Sequence, residues 1–172
     1  SPQTTGSFVP PVPGTFYSSL KGVVRHDGNG CLVGSGSRGY ELNPFDSTHY
    51  VVAYAPPYIA NFERDPMVPT PNQSVDLVCN ITDFDGTVDS VFVYYSADTS
   101  LLPTQFTQLT MNLAAGTTDE YEATLPNQPL GTLVRYYIQA WDNEGNVSYY
   151  PTTPVGQAQP NVDYYTVRAN GA

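Results

Sequence analysis

The sequence predicts an all-β protein: an antiparallel sandwich preceded by a small β-rich segment and a proline-rich, extended N-terminal arm. Three observations point there. Apolar residues alternate with period two through Val75–Ile81, Val91–Tyr95 and Val134–Ala140, which puts one strand face in a core and the other in water. Acidic turns follow the first and last of these runs, at Asp83-Phe84-Asp85-Gly86 and Asp142-Asn143-Glu144-Gly145-Asn146. The 14 tyrosines, 16 prolines and 14 glycines favour strands and turns, and no stretch sustains the 3.6-residue apolar period of a helix.

Taken in order, residues 1–14 form a polar arm containing Pro2, Pro10, Pro11 and Pro13. An arm of this composition is extended and mobile unless something pins it. Residues 15–55 read as a small β-rich segment with strands over Phe16–His26, Cys31–Gly34 and Tyr40–Leu42, and a fourth candidate over His49–Tyr54. Gly28-Asn29-Gly30 is a hairpin signal. Residues 56–72 read as a linker, with Pro56 and Pro57 at one end and a stiff stretch from Pro66 to Pro71 at the other.

The sandwich is expected over residues 73–172. Its first strand buries Val75, Leu77, Cys79 and Ile81, and its second buries Val91, Val93 and Tyr95. Phe106–Met111 and Glu120–Leu125 are the third and fourth. Val134, Tyr136, Ile138 and Ala140 face inward from the fifth, Val147–Tyr150 is the sixth, and Asn161–Arg168 closes the sheet.

Charge is confined to one part of the chain. The first 55 residues carry three basic and three acidic side chains, whereas three arginines face thirteen carboxylates beyond them, so the net charge of −10 lies there. Such a surface repels phosphate backbones and argues against nucleic-acid partners. It suits cation binding and extracellular life. No apolar run is long enough to span a membrane. The start at Ser1 fits a processed, secreted or cell-surface product.

The acidic turns are the one chemical cluster. Asp83, Asp85 and Asp89 belong to the first turn, and Asp142, Asn143 and Glu144 to the second. In a sandwich these loops share one end, where they could supply the six to eight oxygens that calcium takes. The plainer alternative is that Asp-Gly and Asn-Glu-Gly are good turn formers. Cys31 and Cys79 could form a disulfide, closing a loop of about 49 residues and adding about 4 kcal/mol on the chain-entropy model. Alternatively, Cys79 is a small buried hydrophobe and Cys31 a separate thiol. Sequons at Asn72, Asn80 and Asn146 are candidate glycosylation sites. The doublets Tyr94-Tyr95, Tyr136-Tyr137, Tyr149-Tyr150 and Tyr164-Tyr165 each place one ring inward and one outward. The outward rings are either amphipathic surface or a stripe for glycans or a neighbouring subunit. No nucleophile, base and orienting group can be placed together, so no enzymatic activity is expected.

Residues 56–168 resemble the immunoglobulin-like (fibronectin-type) modules of bacterial secreted and surface proteins. The resemblance is carried by Val75-x-Leu77-x-Cys79-x-Ile81-x-Asp83-x-Asp85-Gly86-x-Val88 and by Val91-x-Val93-x-Tyr95-Ser96. Further on it rests on Gly131-Thr132-x-Val134-x-Tyr136-Tyr137-Ile138-x-Ala140 and Asp142-x-x-Gly145-Asn146-x-Ser148. It implies a spacer, adhesive or accessory module with no catalytic residues of its own. Residues 14–54 are faintly similar to the tail of an OB-type barrel, through Gly14-x-Phe16, Gly22-Val23-Val24, Tyr40-x-Leu42-x-Pro44 and His49-Tyr50-Val51-Val52. Such a barrel needs five strands, so the sheet here would be incomplete and its edges open to a neighbour's strand.

Two functions follow as expectations. One is a subunit of a self-assembling surface fibre or layer, a homopolymer in which Phe8, Val9 and Val12 of the arm anchor to another copy. The other is an accessory or ligand-binding module, for glycans or adhesion, within a larger secreted enzyme or adhesin.

Overall fold

The computed structural model describes residues 54–170 and, before them, the backbone of four short strands. The chain forms two compact units, residues 1–54 and 55–172. In the first unit, β1 (Tyr17–Leu20) pairs antiparallel with β4 (Tyr50–Val52), and β2 (Val23–His26) with β3 (Tyr40–Asn43). The single strand expected over Phe16–His26 is therefore two strands with different partners. Gly22 lies between them, and an interior glycine weakens a strand. The 1–14 arm with Phe8, Val9 and Val12, and the expected strand over Cys31–Gly34, lie outside the described residues.

The second unit is a β-sandwich. β5 (Tyr58–Asp65), β6 (Val75–Thr82), β10 (Glu120–Leu125) and β9 (Asn112–Leu113) form one antiparallel sheet in the order β5-β6-β10-β9. The other is built on β7 (Val88–Ser96), β8 (Thr107–Thr110) and β11 (Leu133–Asp142). β7 takes one edge of β11 over residues 135–142. The opposite edge is shared by β12 (Val147–Tyr150), pairing with residues 138–141, and β13 (Asp163–Thr166), pairing with residues 133–136. β12 and β13 thus continue one strand line, interrupted by residues 151–162. Pro151, Pro154 and Pro160, which lack the N–H a ladder needs, lie in that excursion. Among the described residues there is no α-helix, only a short 3-10 turn at Pro103–Gln105, and no helix long and apolar enough to cross a membrane.

The core follows the alternation. Val75, Leu77, Cys79 and Ile81 of β6 are buried against Val91 and Val93 of β7 and Val134, Tyr136, Ile138 and Ala140 of β11. Met111 plugs one side. Its N–H donates to the Val91 carbonyl of one sheet, and the next residue already belongs to β9 of the other. The strand expected over Phe106–Met111 is therefore β8 over Thr107–Thr110, with Met111 at the corner where the chain crosses to the other sheet.

The linker expected over residues 56–72 is corrected. Tyr58–Asp65 is an edge strand of the sandwich, paired with β6. Its alternation is broken by a bulge between Ala60 and Glu63, where Asn61 takes a positive φ of 48°, a conformation asparagine tolerates better than most residues. Ile59 and Phe62 therefore both pack on the core, three positions apart. That spacing hides the strand from a period-two reading. The sandwich begins near Ala55, not at residue 73.

Candidate functional site

The two acidic turns meet at one end of the sandwich, as expected. β11 ends opposite the start of β7, with Asp142 paired to Val88. The turns are stitched together: the Asn143 N–H donates to the Thr87 carbonyl (3.1 Å), and the Thr87 N–H donates to Asn143 Oδ1 (2.6 Å). The chain enters the sandwich at the same end, where the Ala55 N–H donates to Asp85 Oδ2 (3.0 Å).

Asp83, Asp142 and Glu144 each offer an oxygen within 4.8 Å of the others. Asp142 is the organiser. Its Oδ1 accepts from the N–H groups of Glu144 (2.9 Å) and Asn146 (2.7 Å), and its Oδ2 from Asn146 Nδ2 (2.8 Å). Burial pushes the Asp142 carboxyl up, but the hydrogen bonds from Asn146, Glu144 and Gly145 outweigh it, and the net shift is downward. Asp142 therefore acts both as the turn's cap and as one wall of the cluster.

Asp83 is in the opposite state. Burial pushes its carboxyl above the usual carboxylate range. The Asp85 N–H, which donates to Asp83 Oδ1 (3.3 Å), pulls it down. The neighbouring carboxyls of Asp85 and Asp142 push it further up. Asp83 Oδ2 and Asp85 Oδ1 are shielded from solvent with no hydrogen-bond partner among the described residues. Gly86 sits beneath this group. A Cβ there would lie 2.5 Å from Glu144 Oε2, 2.6 Å from Asn143 Oδ1 and 2.8 Å from Asp83 Oδ2. Carboxylate and amide oxygens of both turns thus converge over a residue whose lack of side chain leaves the space open. Hard oxygen donors with this net negative charge are the donor set calcium takes, and Asp83, Asp85, Asp142, Asn143 and Glu144 are the residues that could hold it.

Of the six residues expected here, Asp89 is the exception. It lies exposed on the start of β7, beside Ser90, Phe92 and Trp141. It shares the phase of the inward-facing Val91 and Val93, but the pairing skips from Ser90↔Trp141 to Val88↔Asp142, and this bulge puts Val88 rather than Asp89 against the core. The contributions of Gly86 and of the Ala55 backbone were not legible beforehand. The first is a space rather than a group, and the second comes from a segment expected to be linker.

The expected Cys31–Cys79 disulfide is corrected on the side that is described. Cys79 is a free thiol, wholly buried in β6 among core side chains, and burial pushes its pKa up to about 12. Strand alternation aims its sulfur into the core, away from any surface partner. Cys31 lies outside the described residues. Of the three sequons, Asn72 is exposed in a turn. Asn80 accepts from Asn61 Nδ2 (3.1 Å), and Asn146 already commits its Nδ2 to Asp142, so a glycan on Asn146 would cost the acidic turn one of its bonds.

The tyrosine doublets split inward and outward as the alternation requires. Tyr95, Tyr136, Tyr150 and Tyr165 pack on the core. On the outer face, Tyr94 and Tyr137 stack across β7 and β11 with centroids 4.8 Å apart and planes 7° apart, and Tyr149 and Phe106 close around Tyr137. Tyr137 is consequently only 4% exposed although it points away from the core. Beside it, the 151–162 excursion and residues 56–59 enclose a cleft of about 810 Å³.

No protein-family model matches this sequence, and no curated protein matches it.

Proposed function

We propose that this chain is a non-catalytic extracellular structural protein, an immunoglobulin-like module that assembles with copies of itself into a surface fibre or layer and is stiffened by calcium at its acidic pole. The acidic pole is the observation that carries the calcium part. Carboxylates from two turns share one small volume, one of them has its pKa raised by burial and its neighbours, and two carboxylate oxygens of the first turn are buried without partners among the described residues. A divalent cation relieves that repulsion and ties the β6–β7 turn to the β11–β12 turn. The strand order β5-β6-β10-β9 over β8-β7-β11 with β12 and β13 supports the immunoglobulin-like assignment. Extracellular modules bind calcium at about 10⁻⁴–10⁻³ M, so the test is thermal unfolding of the whole chain in EDTA and in millimolar calcium. A rise in melting temperature with calcium is expected. No shift would leave the acidic turns as turns and nothing more.

A second function, as a ligand-binding accessory module of a larger secreted protein, is favoured by the cleft beside Tyr137 and Tyr149.

A further inference from the structure

The cleft differs from the rest of the unit in one respect: among the described residues, no charged side chain lines it. Thirteen carboxylates and three arginines lie from Pro56 onward, yet the lining is tyrosine, proline, valine, threonine and glutamine, with Tyr58, Tyr149 and Val155 among the walls. Val155 is fully exposed and Tyr58 is 57% exposed. The excursion that forms one wall is held by its own hydrogen bonds. Asn161 donates to the Thr153 hydroxyl and the Thr152 carbonyl, and Gln157 Nε2 donates to the Gln159 carbonyl and Asn161 Oδ1. At the floor, Gln139 Nε2 donates to the Tyr149 hydroxyl (3.2 Å). Among the described residues that hydroxyl's own proton has no acceptor. The site therefore offers aromatic and prolyl surface with a free donor, and no charge.

The most enclosed ring beside the cleft, Tyr137, is closed to a sugar. Stacking on a sugar needs an open ring face, and Tyr137 is already stacked on Tyr94 and nearly covered. An uncharged, proline-rich strand fits well. Such segments lack many N–H donors, present strong carbonyl acceptors, and dock ridge-first against tyrosines and prolines. This chain contains one: Phe8-Val9-Pro10-Pro11-Val12-Pro13, with prolines at the spacing Pro10-x-x-Pro13, inside a stretch, Ser1–Gly14, that has no charged side chain. Any acidic segment would meet the field of the surrounding carboxylates; this one does not.

We infer that the cleft between the 151–162 excursion, residues 56–59 and the outer face of β11 and β12 receives the Phe8–Pro13 segment of a second copy of this chain. The inference rests on the self-assembly proposed above and names the receiving surface. The hydroxyl of Tyr149 donates to a prolyl-segment carbonyl, and the valine and proline side chains cover Tyr58 and Val155. Docking of a segment of one copy on a different surface of the next is heterologous, and builds a ring or an open filament according to whether its rotation closes.

The test uses the full chain with Phe8 replaced by the photoreactive p-benzoylphenylalanine, mixed with an equal amount of ¹⁵N-labelled chain lacking the probe. After irradiation, crosslinked peptides are identified by mass. Crosslinks from unlabelled arm to ¹⁵N-labelled residues 56–59 or 147–160 are expected, and Tyr149→Phe should weaken binding by about fivefold, the equivalent of one neutral hydrogen bond. Val155→Asp, which changes an exposed position and spares the core, should lower the crosslink yield further. Polymers whose crosslinks map to another surface overturn the cleft assignment while leaving self-assembly standing. Crosslinks only within one chain overturn the second-copy occupant. A chain that is monomeric at high concentration, with no crosslink, overturns the self-assembly proposal itself. Competition of the crosslink by a neutral oligosaccharide, in a protein that does not polymerise, would assign the cleft to a glycan instead.

Discussion

At the scale of single residues, a polar relay and a lone hydroxyl make a paired comparison. Arg64 of β5 donates to the Tyr136 hydroxyl (2.9 Å), which donates to Asp163 Oδ2 (2.6 Å). Arg64 also donates to the Met67 and Tyr164 carbonyls and lies over the Tyr165 ring. The relay joins the edge of one sheet to two strands of the other. Burial pushes the Tyr136 hydroxyl well above the usual phenol range, so it stays protonated and able to donate. Tyr136→Phe leaves Arg64 and Asp163 short of a partner and should lower unfolding free energy by about 1–3 kcal/mol. The Tyr165 hydroxyl is buried with no partner among the described residues, so Tyr165→Phe should be neutral or stabilising. Urea unfolding of both variants checks this, and equal losses would show that the relay contributes nothing. Cys79 offers a further check. With its pKa raised to about 12 and its side chain buried, it should resist thiol reagents in a Cys31→Ser background until the protein unfolds. Rapid labelling under native conditions would mean the core opens locally.

Among the elements, the acidic turns carry a prediction whose sign is worked out from the two carboxyl shifts. Asp83 has a raised pKa in the folded state, so its ionisation works against folding as pH rises through that value. Asp142 has a lowered pKa, so its contribution to stability is present above the ordinary carboxylate value and is lost as pH falls through its own. Asp83→Asn should therefore raise the melting temperature in EDTA at neutral pH and abolish any increase produced by calcium. A fall in EDTA would refute the repulsion argued here. Gly86→Ala should also abolish the calcium response, because its Cβ must displace oxygens of Asp83, Asn143 and Glu144. A retained response would move the cation elsewhere. What was legible at this scale was β6, β7 and β11, because strict alternation records a strand with one buried face. β5 was not legible, since its bulge brings Ile59 and Phe62 to the same face. Nor was the split of the last strand line, since Tyr149-Tyr150 and Tyr164-Tyr165 each look like part of a strand and give no sign that they share one edge of β11. The gathering of Asp83, Asp85, Asp142, Asn143 and Glu144 could be anticipated from turn chemistry and sandwich topology. The exclusion of Asp89 depends on a bulge at the start of β7 that no alternation records, and the free Cys79 followed from the same alternation that filled the core.

For the whole molecule, the account concerns assembly. The sandwich is complete in itself, with its own core, its own polar relay and an acidic pole that calcium would close. Among the described residues of the first unit there are two two-stranded ladders, and a two-stranded ladder by itself is marginally stable. A proline-rich, uncharged segment precedes them. Ordering each backbone residue costs about 1–2 kcal/mol, so such a segment holds a fixed place only through extensive contact, which docking in the cleft of another copy, as proposed, would provide. The most direct measurement is sedimentation velocity, with negative-stain microscopy, of the full chain and of a chain lacking residues 1–13. The full chain is expected to form filaments or large oligomers, and the shortened chain to remain a folded monomer with the same β-rich circular dichroism. A shortened chain that still polymerises, or a full chain that stays monomeric at high concentration, would contradict the account.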